Sequence, residues 1–193
     1  ISIDKENNVY VGGSFNSPLV TLEGLSLTNS SNKSGSMDLF LSKYDNSGHL
    51  LWAKSAGGKT DDGGMAVAVD FNNHVFIAGY FDSPSLTFGS AILKNKNSKK
   101  GSFDAYLAKY DASGNVMWAK SFGGKYDDGA LGICSDKEGN SYTTGYFDSE
   151  WIILDTIVIS SNGGSDIFLV KYNPSGHVLW AKNIGGIGDE SGL

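Results

Sequence analysis

An all-β fold of repeated, stacked sheets is what this sequence predicts, on three observations. The chain repeats itself: residues 1–66 align with 67–132 without a gap, 30 of those 66 pairs are identical, and 133–193 repeat the pattern with a shorter middle. Within each unit, short runs rich in alternating apolar residues are separated by Asx- and Gly-containing turn sets. No window carries a 3.6-residue period flanked by caps, so essentially no helix is expected.

The middle unit shows the elements in order. "GMAVAVD" alternates up to Asp70, "FNNH" makes a turn, and "VFIAGYF" runs back as a second strand. "SLTFGSAILKN" reads as a less regular extended piece, with Gly89 as a bend or bulge. "DAYLAKYD" is a further strand, "ASGN" a tight turn and "VMWAKSFGG" the last strand. The sets Asp45–Gly48, Asp111–Gly114 and Asn173–Gly176 fit one hairpin chemistry: an Asx residue opens the turn, Pro174 is tolerated second, and Gly supplies the positive φ.

Four to five antiparallel strands recurring at fixed spacing form a blade, and a lone blade leaves apolar faces that only stacking can bury. The units 1–66, 67–132 and 133–193 are therefore expected to be three blades of one continuous β-propeller segment, with the strands offset at the ends. A β-solenoid or sandwich fits less well. The 66-residue period exceeds the roughly 40–50 residues of a four-stranded blade. The excess falls at 16–36, 82–102 and 148–164, where the copies also differ most.

Bulk properties exclude several classes. A net charge of −6 gives no field for nucleic acid or anionic lipid, and no apolar run approaches the ~20 residues that span a bilayer. The opening residues do not read as a signal peptide, and the first residue is Ile, so a processed chain or a segment of a longer one is expected. Cys134 is the only cysteine, which rules out an internal disulfide; Ser2 and Ala68 at the matching positions mark it as a small strand residue rather than a reactive thiol.

The phrases "GNVMWAKSFGGKYDDG", "HVFIAGYFDS" and "DAYLAKYD", matched in all three units, resemble the seven-bladed β-propeller repeat family of bacterial proteins. The resemblance covers essentially the whole chain. It implies a secreted or surface-exposed bacterial protein, often large and repetitive, as in the Bacteroidetes, where such repeats precede adhesion-type modules. It implies no catalytic activity. Three units are fewer than the four to eight blades of a closed ring. Further blades of a longer parent, or a second copy joined head to tail into a six-blade ring, are expected to complete it.

The candidate sites follow the repeat. The acidic pairs Asp61 and Asp62, Asp127 and Asp128, and Asp189 and Glu190 sit beside glycines and could offer oxygens to Ca²⁺, although the spacing is not that of a dedicated calcium loop. The competing and preferred reading is that one acid caps the tight entry turn while the other faces water. A general-acid and base pair is disfavoured because the residues recur in every copy. Trp52, Trp118 and Trp180 occupy one strand register and are assigned to packing between blades, as are the repeated "KY" tyrosines. Lys54, Lys120 and Lys182 share the face of those tryptophans and are expected to pair with repeated aspartates such as Asp38, Asp104 and Asp166, an architectural role. Trp151 has no aromatic counterpart and is the candidate ligand platform, against local core filling. His49, His74 and His177 lie in turns, the basic run 94–100 reads as a solvated hairpin tip, and "GGKTDDGG" lacks the spacing and the helix of a phosphate loop. No catalytic residue is assigned. The expected function is a non-enzymatic extracellular scaffold or adhesion module binding proteins or surface glycans, with a lectin-like propeller using repeated pockets as the alternative.

Overall fold

The structure is a computed structural model that describes residues 1–31, 35–96, 101–190 and 192. The first unit contains β1 (Ser2–Ile3), β2 (Val9–Phe15), β3 (Leu19–Leu22), β4 (Leu25–Thr28), β5 (Asp38–Tyr44) and β6 (Leu50–Ala56). The second contains β7 (Asp62–Val69), β8 (Val75–Phe81), β9 (Ser85–Phe88), β10 (Ala91–Lys94), β11 (Asp104–Tyr110) and β12 (Val116–Phe122). The third contains β13 (Asp128–Ser135), β14 (Ser141–Phe147), β15 (Trp151–Leu154), β16 (Ile157–Ser160), β17 (Asp166–Tyr172) and β18 (Val178–Ile184).

Three four-stranded antiparallel sheets result, ordered β1-β2-β5-β6, β7-β8-β11-β12 and β13-β14-β17-β18, and no helix occurs among the described residues. These are blades of the propeller type. The long middle segment of each unit does not add a fifth strand. It folds on itself as a separate two-stranded hairpin, β3–β4, β9–β10 or β15–β16. Each hairpin turn needs a residue with positive φ, taken by Glu23 (46°), Gly89 (56°) and Asp155 (53°). The basic run 94–100 begins in β10, and its residues 97–100 lie outside the described residues.

The turns form as the Asx chemistry requires. The Asp111 carboxylate accepts from the amides of Ser113 (2.9 Å) and Asn115 (2.8 Å), and Asn173 does the same for Ser175 (3.0 Å) and His177 (2.9 Å). Asp4, Asp70 and Asp136 repeat the device at the other hairpin of each blade. One register shift recurs beside the tryptophans: Lys109 faces Trp118 but Tyr110 faces Val116, leaving Met117 as an unpaired bulge residue. Leu51 and Leu179 fall at the same shift, and all three are exposed.

Packing between sheets builds the core. Tyr10, Leu39 and Leu41 of the first blade meet Val75, Ile77, Phe81, Tyr106 and Tyr110 of the second. Phe76, Ala78, Ala105 and Leu107 point the other way, against Phe147, Phe168, Val170 and Tyr172 of the third. Hence β11 is buried at every position, whereas β17 is buried only at alternate ones.

Gly114 and Gly48 are equivalent turn glycines with φ of 78° and 85°. A Cβ on Gly114 would come within 3.0 Å of the Trp52 indole of the preceding blade, whereas one on Gly48 meets nothing within 4 Å. Gly48→Ala is expected to cost about 1 kcal/mol, the left-handed backbone penalty. Gly114→Ala should cost roughly 1–3 kcal/mol more through overpacking. Urea denaturation of the two variants measures the difference, and equal losses would show that the turn does not bear on Trp52.

Candidate functional site

The connection between successive blades, Gly-Gly-x-x-Asp-Asp, is where the acidic residues lie. Asp62 opens β7 with no exposed surface, and its carboxylate accepts from the Ser83 hydroxyl (2.8 Å) and amide (3.3 Å). Asp128 does the same with Ser149 (2.8 and 3.3 Å) and also takes the Gly124 amide (2.7 Å). The acid before each one reaches back to the preceding blade. Asp61 accepts from the Met37 amide, Asp127 from that of Phe103 and Asp189 from that of Ser165, each at 3.0 Å. The backbone reinforces the link: the amides of Asp62, Asp128 and Glu190 donate to the carbonyls of Met37, Phe103 and Ser165 at 2.8, 2.8 and 2.7 Å. Glu190 accepts from the Gly186 amide (2.9 Å), the counterpart of Asp128 and Gly124.

Asp38, Asp104 and Asp166 complete the junctions. All three are fully buried, and each accepts one loop amide at 2.7 Å, from Ser30, Lys96 and Asn162. Asp166 also accepts from the Asn183 side chain (2.8 Å). Their Oδ1 atoms have no hydrogen-bond partner. A Cβ on Gly57, Gly123 or Gly185 would run into these carboxylates, which is why the loop begins with glycine. At Gly123 the same point also lies 3.0 Å from Asp128 Oδ2, so two carboxylates crowd one dry spot. Burial pushes Asp62 and Asp128 up to about 7 and Asp104 up to about 6; the neighbouring Asp38 or Asp104 adds repulsion to the first two, and burial also raises Asp38.

The sequence-predicted partners of these aspartates differ from the ones observed. Lys120 reaches Asp155 in the next blade's hairpin (3.3 Å), not Asp104. The repeated ion pairs use other residues: Lys43 with Asp4 (3.5 Å), Lys109 with Asp70 (3.3 Å) and Lys171 with Asp136 (3.5 Å). Each of these lysines also stands 4.8–5.0 Å from the ring of Tyr10, Phe76 or Tyr142. Burial works against the Asp136 carboxylate, but Asn140, Tyr142 and Lys171 outweigh it and hold the group at about 2. A signal for this cassette was available, since the Lys of "KY" and the Asp opening the earlier turn recur in all three units.

Trp52 and Trp118 bridge blades, their indole N–H donating to the carbonyls of Ala112 and Pro174, both at 3.1 Å. Trp180 keeps the same edge-on contact with Tyr142 (6.1 Å) that Trp52 makes with Tyr10 (6.0 Å), but among the described residues no carbonyl accepts from its indole. Lys54 lines an open groove with Phe88, Gly89 and Tyr110, and Lys182 is exposed. The carboxylates considered for Ca²⁺ hold backbone amides, and among the described residues no group of three or more His, Cys, Asp or Glu side chains is placed to hold a metal ion. Trp151 stands half-exposed over a pocket of ≈ 390 Å³ lined also by Lys96, Gly124, Lys125 and Glu150.

No family model matches the chain. It is 28% identical over 143 residues to the regulatory protein FlaEY of Caulobacter vibrioides, covering 74% of this chain and 15% of that protein. It is also 28% identical over 156 residues to an uncharacterized WD repeat-containing protein of Acanthamoeba polyphaga mimivirus, covering 68% of this chain and 11% of that protein. The chain thus spans a small part of the length of either relative. The WD-repeat likeness agrees with the bladed architecture. A crystal structure of a protein of unknown function from Bacteroides caccae aligns over 80% of this chain and 79% of that one at 10% identity, with a TM-score of 0.22, too low to carry an argument.

The raised carboxyls set a pH dependence. In the unfolded chain Asp titrates near ~3.9, so the folded state binds more protons between about pH 4 and about pH 7. The stability these groups contribute is complete below about pH 4 and is lost as pH rises through about 7. Melting temperature is expected to fall across that window by at least about 2–4 °C, the change that ~1 kcal/mol makes in a domain of this size. Asp62→Asn and Asp128→Asn together should flatten the slope, as thermal scans across the window would record. An unchanged slope in the double variant would assign the effect elsewhere.

Proposed function

We propose that this chain is a propeller segment of the seven-bladed repeat type from a secreted or surface-exposed bacterial protein. It acts without catalysis as a scaffold or adhesion module that docks further blades of its own kind. The observation that carries this reading is that the two outer faces repeat the two sides of the inner junctions. Ile184 is 52% exposed where its equivalents Ala56 and Phe122 are 5% and 1% exposed, and Ile1 is 84% exposed where Val67 is 8% exposed. Trp180 presents the indole that Trp52 and Trp118 insert, and the turn at Gly48 offers the open seat that Gly114 and Gly176 give to those indoles. Knob and seat are therefore on opposite faces, which suits head-to-tail docking.

The repeated carboxylates support the non-enzymatic reading, because each is engaged in joining blades and recurs in equivalent places, whereas catalysis needs one asymmetric cluster. A lectin with repeated pockets is less favoured: Trp151 stands where the other units carry Leu19 and Ser85. The proposed partners are further blades or a second copy, and the proposed location is outside the cell.

For the chain alone, the available partner is a second copy. Light scattering over a concentration series is expected to give a mass that rises to the dimer, and Trp180→Ala should hold it at the monomer. Chelation of divalent cations is expected to leave both the mass and the melting temperature unchanged. A wild-type chain that stays monomeric at every concentration would sink docking by a second copy and leave further blades of one parent chain as the partner, and a mass that falls on chelation would restore the acidic loops as a calcium site.

A further inference from the structure

We propose that the open pocket between the second and third blades binds an acidic sugar residue, a pyranose ring carrying a carboxylate. The pocket is built where three elements meet. The β15 strand supplies Trp151, the turn before it Glu150, the blade connection Gly124 and Lys125, and the end of the β9–β10 hairpin Lys96. Its volume of ≈ 390 Å³ falls in the range of small-ligand sites and exceeds what local side-chain packing leaves.

Trp151 is not filling core. Its neighbours Ile152 and Leu154 are buried at 0% and 1% exposure, while the indole, on the opposite face of the strand, is 48% exposed. The equivalent Leu19 and Ser85 show that the hairpin folds without an aromatic at this position. An exposed indole offers a flat apolar plane on which the C–H face of a pyranose can lie, with its electron-rich face towards the polarised C–H bonds.

The charges select the ligand. Among the described residues Lys96 and Lys125 line the walls with Glu150, two ammonium-bearing side chains to one carboxylate in a chain of net charge −6. Two buried acids stand behind the same wall, Asp104 accepting the Lys96 amide and Asp128 the Gly124 amide, each at 2.7 Å; neither lines the pocket, and burial raises both carboxyls. Lys125 is steadied above the Tyr126 ring, 5.0 Å from its centroid. Two ammonium groups suit a sugar carboxylate, and Glu150 suits a ring hydroxyl, which donates to it. Gly124 matters by its lack of a side chain, since a Cβ there would meet Trp151 O at 2.7 Å and displace the strand that carries the indole. The other described inner junction has Gly58 and Lys59 but pairs them with Pro84 and Ser85, so the site is single and does not depend on how the outer faces are covered.

The test is an NMR titration of the ¹⁵N-labelled full chain, which shows one indole N–H signal for each of its four tryptophans. Sodium glucuronate is expected to shift the Trp151 signal saturably and leave the other three in place, and sodium chloride at matched ionic strength is expected not to. Lys125→Gln should weaken glucuronate about tenfold, the loss of one charge-assisted contact, towards the level of neutral glucose. Trp151→Leu recreates the residue with which the first unit already folds, and its intact spectrum should show no response to glucuronate. The proposal is overturned if chloride reproduces the glucuronate shifts, if glucose and glucuronate bind equally, or if the response survives in Trp151→Leu. Each of these outcomes can occur whether the chain is monomer or dimer, so it is separable from blade docking.

Discussion

At each inner blade junction a carboxylate removed from water fixes the loop that joins two sheets, and a half-buried one beside it reaches across to the preceding sheet. Asp62 and Asp128 tie the start of one blade to its own Ser83 or Ser149, while the acid just before each ties the same loop to the preceding blade. A buried carboxylate is costly unless its oxygens find donors, and here the donors are loop amides that have no strand partner. Satisfying one need satisfies the other. Glycines at the head of the loop follow from the same constraint, because only they leave room for Asp38 or Asp104 beside it. Burial, with a smaller contribution from the neighbouring carboxylate, then makes Asp62 and Asp128 proton acceptors near neutrality, so the joint that fixes the blades also couples them to pH.

The lysine cassette is the second fixed element and works within a blade. Asp70 caps a turn through the amides of Asn72 and His74 and receives Lys109, whose ammonium lies against Phe76. An ion pair of this kind gains little net stability over an apolar substitute, so its recurrence is better explained by specificity. The lysine lies on the third strand of its sheet and the aspartate just beyond the first, so the pair fixes which strand the hairpin returns beside.

Repetition made most of the fold legible. The turn sets, the strand order and the packing of Trp52 and Trp118 across blades could be read because identical residues recur at identical offsets in one chain. Two things could not. The middle segments look irregular in sequence because their strands pair only with each other, which four-residue runs do not announce. Lys120 pairs with Asp155 rather than with Asp104 because a shared strand face says nothing of which acid lies across the next junction. The acidic pairs looked like surface turns, yet Asp62 and Asp128 are dry; period-two alternation cannot show that a strand's first residue is covered by the neighbouring blade.

That independence of the hairpins bears on where function can vary. Each pairs only with itself, β15 with β16 for example, so a substitution at an outward-facing position there leaves the pairing of the four-stranded ladder untouched, whereas inward-facing residues such as Phe88 and Ile152 belong to the blade cores. The rest of a blade has no such freedom. β11 is buried throughout, and its ends are fixed by Asp104 and by the Asx turn at Asp111. A repeat built this way can change the outward-facing chemistry of one hairpin without disturbing the four-stranded sheets, and Trp151 of β15 remains half-exposed beside a junction whose carboxylates Asp104 and Asp128 are buried. Scaffold positions and outward-facing hairpin positions are thus separated along the sequence of every unit, which lets a chain of repeated blades present a different surface on one of them.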